Sequence, residues 1–471
     1  MLSTTTTTTT TSPCDDDDAE ELVNGFVVEL ADRVPVERQV QSFCLQHASH
    51  HRPIVLVSSG GTAADLELHS VRCLDNFSTG TRGAASVEAF LRKGYAVIHL
   101  WRTGSASPHG RKVAEAIGLG GHEGISMASV GKLFVGAATG DLEEADEEDQ
   151  MVQSVLNQDP WLTEPTQNGS LPTATKKNKA ASSSSSGSSG HLPIALHRRV
   201  EGSSRLQVAL KERQTALEEG RLSTVPFRSI EEYLAKLQLC SLALRDSQAL
   251  AMVYLAAAVS DFYVPSSQRS QHKIQSTAAR GGLTLTLEPV PKVLGLLRSQ
   301  WAPDAFVCSF KLETDPTLLR QKAERAVTTY GCHMVVGNIL ETRYSEVSIL
   351  VAPPSLSSLD DDSQESSHHQ WSMQTLRKSS DPDSLENQLV DVVIQEHFEY
   401  ISKSCHGTFD KAGMDAVMKA HEEMKEKKRK MERTIFWEKV QTTSLEWAGV
   451  AAGALLSYVI SSALRKRMGV S

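Results

Sequence analysis

The chain has 471 residues, room for one large domain with extensions or two to three compact ones. Its 48 Lys and Arg against 57 Asp and Glu give a net charge of −9, which leaves no positive excess to hold a nucleic acid. The seven cysteines, Cys14, Cys44, Cys73, Cys240, Cys308, Cys332 and Cys405, are scattered without a CxxC pair, so the expectation is a reducing, cytoplasmic setting with no zinc site and no disulfide framework.

Residues 1–21, with Thr4 to Thr11 and Asp15 to Asp18, have no apolar run and read as a disordered acidic tail, neither a secretory nor a mitochondrial leader. Ile54 to Val57 is a short buried strand ending in the loop Ser58-Ser59-Gly60-Gly61-Thr62. Gly83 to Lys93 has helical spacing, Gly94 stops it, and Tyr95 to Trp101 is again strand-like, which makes a βαβ unit. Gly118 to Gly124 is spaced GxGxxxG and follows a helical run, so it reads as a loop and not as a dinucleotide fingerprint. Residues 125–200 hold seven acids between Asp141 and Asp149 and a pure Ser/Gly tract from Ser182 to Gly190, a low-complexity, flexible insertion.

Further on, Ser229 and Glu232 form a capping box opening a helix to about Arg245, followed by a strand from Met252 to Ala257. A helix (Pro291 to Gln300), a strand (Phe306 to Phe310), a helix (Pro316 to Tyr330) and strands at Met334 to Val336 and Ser348 to Val351 come next. Pro353 to Asp383 is Ser/Asp-rich and reads as a loop, and Leu385 to Ser402 as a closing helix. The alternation implies an α/β fold, a mostly parallel sheet with helices on both faces, built from residues 22–124 and 201–403 as one discontinuous domain. Residues 404–443 read as a charged helix with a basic cluster from Lys425 to Arg433. Residues 444–471 contain an uncharged 18-residue run, Trp447 to Leu464, closed by Arg465, Lys466 and Arg467. That length is just enough to cross a bilayer, so a C-terminal membrane anchor is expected, with a buried or partner-packed helix as the alternative.

Ligands of such sheets bind at the carboxyl ends of the strands. After the first strand, Gly60 and Gly61 let backbone amides approach a phosphate. Val71 to Gly83 gathers Arg72, Asp75, Asn76, Ser78, Gly80, Arg82 and Gly83 at the start of a helix, whose N-terminus attracts anions; a plain Ser or Thr N-cap and surface arginines are the ordinary alternatives. Between Ala256 and Pro265, Ala257 and Ala258 would let a ligand lie on the backbone and Asp261 offers an acceptor, although a tight helix–sheet contact also selects alanine. Lys273 is the candidate for stabilising anionic charge in a transition state. With Lys311 to Asp315 and Gly337-Asn338 behind two further strands, four strand ends present polar or small residues, the pattern of a shared cleft.

The segments SGGT, VRCLDNFSTGTRG, YLAAAVSDFYVP, HKIQS, SFKLETD and GNIL, in that order, resemble the phosphopantothenate–cysteine ligase family over about 50–107 and 203–403. The resemblance implies a Rossmann-like homodimer that joins cysteine to 4′-phosphopantothenate through an acyl-adenylate, with Mg²⁺ and ATP, as a step of coenzyme A biosynthesis; nothing in these residues selects against CTP. It implies that Gly60, Ser78, Gly80, Gly83, Phe310 and Asn338 hold the nucleotide, and that Asn76, Ala257, Ala258 and Asp261 contact phosphopantothenate. Arg72 would reach the substrate phosphate from the neighbouring subunit, and Lys273 matches the family's flexible-loop lysine. The alternatives are a membrane-tethered inactive nucleotide-binding scaffold and, on the same fold, a nicotinamide-dependent oxidoreductase, whose glycine fingerprint is missing.

Overall fold

The computed structural model describes residues 16–116, 134–136, 194–196, 203–275, 283–353, 373–379 and 384–404, together with Lys419 and Glu426. Two helices open it, α1 (Asp16–Glu29) and α2 (Arg33–Ala48). Helix α1 begins inside the stretch expected to be a disordered tail. Its aspartates occupy the first turn, where carboxylates suit the positive end of a helix, and Ala19, Val23 and Val27 bury one face at a spacing of four.

Strand β1 (Ile54–Ser59) is followed by the small ribbon β2 (Ala63–Asp65) and β3 (Cys73–Asp75), then α3 (Thr81–Arg92), β4 (Ala96–Arg102) and α4 (Gly110–Ala116). Two short strands within the insertion, β5 (Phe134–Gly136) and β6 (Ile194–Leu196), pair antiparallel. Helix α5 (Ser203–Glu218), β7 (Leu222–Phe227), α6 (Ile230–Leu244), β8 (Ala251–Leu255), β9 (Phe262–Tyr263) and β10 (Glu288–Pro289) come next. Beyond a short helical stretch (Leu294–Leu296, continued by Leu297–Trp301) lie β11 (Phe306–Glu313), α7 (Pro316–Tyr330), β12 (Met334–Ile339), β13 (Glu346–Val351), β14 (Met373–Arg377) and α8 (Ser384–Ser404).

Eight strands form one sheet in the order β14-β13-β12-β11-β8-β1-β4-β7. The six from β12 to β7 are parallel, and β13 and β14 add an antiparallel edge. Strand β1 is buried along its whole length because helices cover both faces, which is why it reads as an unbroken apolar run. One face packs Leu56, Ile98 and Val253 against α1, α2 and α6. On the other face Phe90 of α3 meets Tyr95 and Tyr254.

The capping box is present in a shifted form. Ser229 Oγ accepts from Glu232 N at 3.2 Å, while the Glu232 carboxylate accepts from Arg228 N at 2.7 Å rather than from the cap residue itself. Strand β14 lies inside the stretch expected to be a loop; it is an edge strand that buries Leu376, too little apolar surface to stand out in the sequence. Strands β11 and β12 run three residues beyond the expected ends at Phe310 and Val336. The glycine-rich loop at 118–124, the rest of 125–200, and the charged helix and anchor expected over 404–471 lie outside the described residues, apart from Ser404, Lys419 and Glu426. Among the described residues no helix is long and apolar enough to cross a membrane.

Burial keeps four imidazoles neutral: it holds His47 and His397 down to about 4, and His99 and His333 down to about 3. The unfolded chain protonates near pH 6.5, so the folded state binds fewer protons below that value. Stability is therefore whole above pH 6.5 and lost as pH falls toward 4, by about 1.4 kcal/mol per pH unit for each such group once well below 6.5. The thermal midpoint should fall steadily between pH 7 and pH 5; a flat midpoint across that window would contradict the assignment.

Candidate functional site

From β1 the chain moves outward to β4 and β7 on one side and then returns to lay β8 on the other, so the order of the parallel sheet reverses between β1 and β8. In open α/β sheets the ligand crevice lies outside the carboxyl ends of the strands at such a reversal, which here is where the loops leaving β1 and β8 meet. They are zipped together by backbone bonds: Ala258 N donates to Gly60 O at 2.8 Å, and Thr62 N donates to Ala258 O at 3.0 Å. Ser260 N donates to Thr62 Oγ1 at 2.9 Å, and Ala257 N to Ser58 Oγ at 3.2 Å. Asn76 joins the same point, its Nδ2 donating to Ala258 O at 3.1 Å. A Cβ on Gly61 would sit 2.3 Å from Asn76 O, so only glycine lets the Asn76 backbone come this close. Gly60, Asn76, Ala257 and Ala258 are thus one cluster. Arg102, at the end of β4, steadies it by donating from both terminal guanidinium nitrogens, Nη1 and Nη2, to the Asp75 carboxylate.

The first turn of α3 lies against the end of β1. Gly80, at φ +75°, is the N-cap and makes no side-chain cap, so the plain Ser or Thr cap is not what this helix uses. Ser59 Oγ donates to Gly80 O at 3.1 Å, and a Cβ on Gly83 would lie 2.5 Å from Ser59 Cβ. The first-turn amides have no partner within the helix. Ser78, half-buried, donates its amide to Asn76 O at 2.8 Å and links this turn to the first cluster.

Asn338 and Phe310 close the other side. Asn338 is buried; its Oδ1 accepts from Arg82, and its Nδ2 donates to Lys311 O at 3.4 Å. Arg82 also donates to Arg343 O and pairs with Glu386 at 3.4 Å, so it ties α3 to β12 and α8 and is no free surface charge. The Phe310 ring meets Tyr254 edge-on at 4.9 Å, and the Tyr254 hydroxyl shares a 3.0 Å bond with Ser86. Asp261 is exposed and pairs with Lys292 at 2.8 Å. Burial lowers the pKa of Lys311, Lys292 adds to that shift, and Cys332, Asp261 and Glu313 oppose it. Lys311 stands in the segment Lys311 to Asp315 that the sequence places at a strand end of the shared cleft, without a role of its own; Lys292 has no local signal in the sequence.

Arg72 and Lys273 lie together on the β2–β3 arm and the segment docked to it. Arg72 Nη1 donates to Glu67 Oε1 at 3.0 Å and to Ile274 O at 3.1 Å, and Lys273 is exposed. Among the described residues no hydrogen bond or ion pair joins Arg72 or Lys273 to Asn76, Asp261 or Phe310. Nor do three or more His, Cys, Asp or Glu side chains converge as a metal cage among those residues.

Comparison with known proteins places this geometry in a family. The family described as "DNA/pantothenate metabolism flavoprotein C-terminal domain" matches residues 178–370. Phosphopantothenate–cysteine ligase 2 of Oryza sativa subsp. japonica is 36% identical over 348 residues, 74% of this chain and 81% of that protein. The phosphopantothenate–cysteine ligase of Homo sapiens is 36% identical over 308 residues, 65% of this chain and 79% of that protein. A solved structure of a Cab2 mutant in complex with phosphopantothenate-cysteine superposes with a TM-score of 0.54 at 28% identity, covering 80% of this chain and 96% of that one. By that shared length and identity, the chain belongs to the phosphopantothenate–cysteine ligase family.

Proposed function

We propose that this protein joins the amine of cysteine to the carboxylate of 4′-phosphopantothenate, with ATP as the activating nucleotide, in the route to coenzyme A. The observation that supports this most is the crevice between β1 and β8, where the glycine-lined turn at Gly80 and Gly83 and the cluster of Asn76, Ala257 and Ala258 stand side by side. One half suits a nucleotide's phosphates and the other a small, amide-bearing acid.

A carboxylate resists attack by an amine because the attack adds charge to a group already negative. In the proposed sequence one carboxylate oxygen of phosphopantothenate attacks the α-phosphorus of ATP in line, pyrophosphate leaves, and an acyl-adenylate forms. The cysteine amine then adds to the activated carbonyl, AMP departs with the shared oxygen, and the amide remains. Gly60, Ser78, Gly80, Gly83, Phe310 and Asn338 hold the nucleotide, the first-turn amides of α3 facing its phosphates. Asn76 orients the acyl group beside Ala257, Ala258 and Asp261, and Lys273 stabilises the charge that builds at phosphorus. Fixing the partners in one cleft lowers the barrier further. Mg²⁺ bound with the nucleotide would supply neutralisation of its phosphate charge.

The working unit is a homodimer in which Arg72 of each subunit grips the phosphate bound in its neighbour. Val71, Leu74 and Phe77 on and beside the β2–β3 arm are exposed apolar side chains, an unusual load for a small ribbon left in water. The run from Trp447 to Leu464 attaches the protein to a membrane; a chain ending at Lys439 should then stay in the supernatant while the full chain sediments with membranes, and identical behaviour would refute the attachment. The catalytic reading is tested by pyrophosphate release from ATP or CTP in the presence of both acceptors. Faster release with CTP would overturn the nucleotide assignment alone.

A further inference from the structure

Glu67, in the turn after β2, is a fully buried carboxylate that neither the motifs nor the crevice calls for. Its Oε2 accepts from Val71 N at 3.2 Å and Arg72 N at 3.0 Å; its Oε1 accepts from Arg72 Nη1 at 3.0 Å and Ile274 N at 3.4 Å. Burial pushes the carboxyl up, but the amides of Arg72, Val71 and Ile274 and the Arg72 guanidinium outweigh it and hold the group below the usual carboxylate range. Glu67 is therefore an anion with its acceptor capacity filled.

The main chain around it joins two separate segments. Residue 67 bridges residue 270 in parallel, Leu68 N donates to Ser270 O at 2.9 Å, and His69 N donates to Gln271 O at 3.2 Å. The imidazoles of His69 and His272 stack at 5.5 Å. The segment carrying Lys273 is thus laid along the arm carrying Arg72, and Glu67 bonds both sides of the seam. Neither side is part of the core, since Arg72 and residues 270–273 are exposed. A staple here controls where two cations stand while holding little of the fold together.

We propose that Glu67 is a positioning residue for the ligase reaction, setting Arg72 and the Lys273 segment in one register so that grip on the substrate phosphate and stabilisation of charge at the α-phosphorus depend on the same buried carboxylate. This rests on the roles of Arg72 and Lys273 given above. Glu67→Gln keeps the shape and removes the charge, and its amide turns a donor toward groups that donate. Loss of a charged hydrogen bond of this kind amounts to about ten- to a hundredfold. In the full-length chain the KM for phosphopantothenate should rise, and the rate of pyrophosphate release fall, by about tenfold each, while the KM for the nucleotide stays within about twofold. In an Arg72→Ala background, Glu67→Gln should add no further rise in the phosphopantothenate KM. Hydrogen exchange gives a readout independent of catalysis: the amides of residues 270–274 should exchange faster in Glu67→Gln, with the β1 and β8 amides unchanged. Unaltered exchange at 270–274 would overturn the coupling whatever the activity. Wild-type kinetics in Glu67→Gln, equal loss of nucleotide affinity, or full additivity with Arg72→Ala would overturn the positioning role. A wild-type chain without ligase activity whose 270–274 amides still loosen in the variant would instead overturn the functional reading and leave the coupling standing.

Discussion

Lys273→Ala is expected to slow pyrophosphate release by about 10²–10³-fold, the usual effect of removing one donor aimed at developing charge. Lys273 is exposed, on a segment held by main-chain bonds to the arm, and makes no hydrogen bond or ion pair with the residues of the glycine crevice among those described. In the proposed role its ammonium would be a charge presented from outside to a cleft already shaped by other residues. Removing it should leave nucleotide affinity close to wild type and act on the step at phosphorus. Lys273→Arg should recover only part of the rate, because a planar guanidinium directs its donors differently from a compact ammonium. Single-turnover pyrophosphate release checks this, and an unchanged rate in Lys273→Ala would remove the lysine from the mechanism.

Asn76→Ala is expected to separate the two half-reactions. The Asn76 backbone is pinned against Gly61, and its amide is, among the described residues, the one side-chain link to the Ala258 carbonyl. Truncation leaves the glycine turn at Gly80 and Gly83 in place, so nucleotide should still bind. The acyl group loses the amide that orients it toward the incoming amine, so amide formation should fall by about 10²-fold or more while acyl-adenylate accumulates. Rapid-quench analysis of the intermediate and product checks both. Amide synthesis at the wild-type rate would exclude Asn76 from catalysis.

The sheet was largely legible in the sequence. Strands β1, β4, β8, β11 and β12 are covered on both faces, which forces apolar runs that need no partner to be recognised. Strand β14 was not legible, because an edge strand with one buried leucine is indistinguishable from polar loop. The start of α1 was missed because the tail's aspartates read as disorder, whereas at a helix N-terminus they are favourable. In the crevice, Gly60, Gly80 and Gly83, whose backbone conformation or size allows a close approach, and the small Ala257 and Ala258 could be named from the chain alone. The distant partners that fix other residues could not. Arg82 acquires its place by reaching Asn338 and Glu386, more than 250 residues away, and Glu67 by reaching Ile274. Lys292 meets Asp261 because β9 and β10 pair and fold its loop back.

The claim on which all of this depends is that the crevice converts a carboxylate into a mixed anhydride with AMP. Phosphopantothenate carrying heavy oxygen in its carboxylate tests it directly, with ATP and cysteine supplied and the nucleotide product examined by mass spectrometry. Transfer of one labelled oxygen into AMP, with pyrophosphate formed in equal amount, is the predicted result. Label in inorganic phosphate with ADP as the nucleotide product, or amide formed with no label transferred, would contradict it.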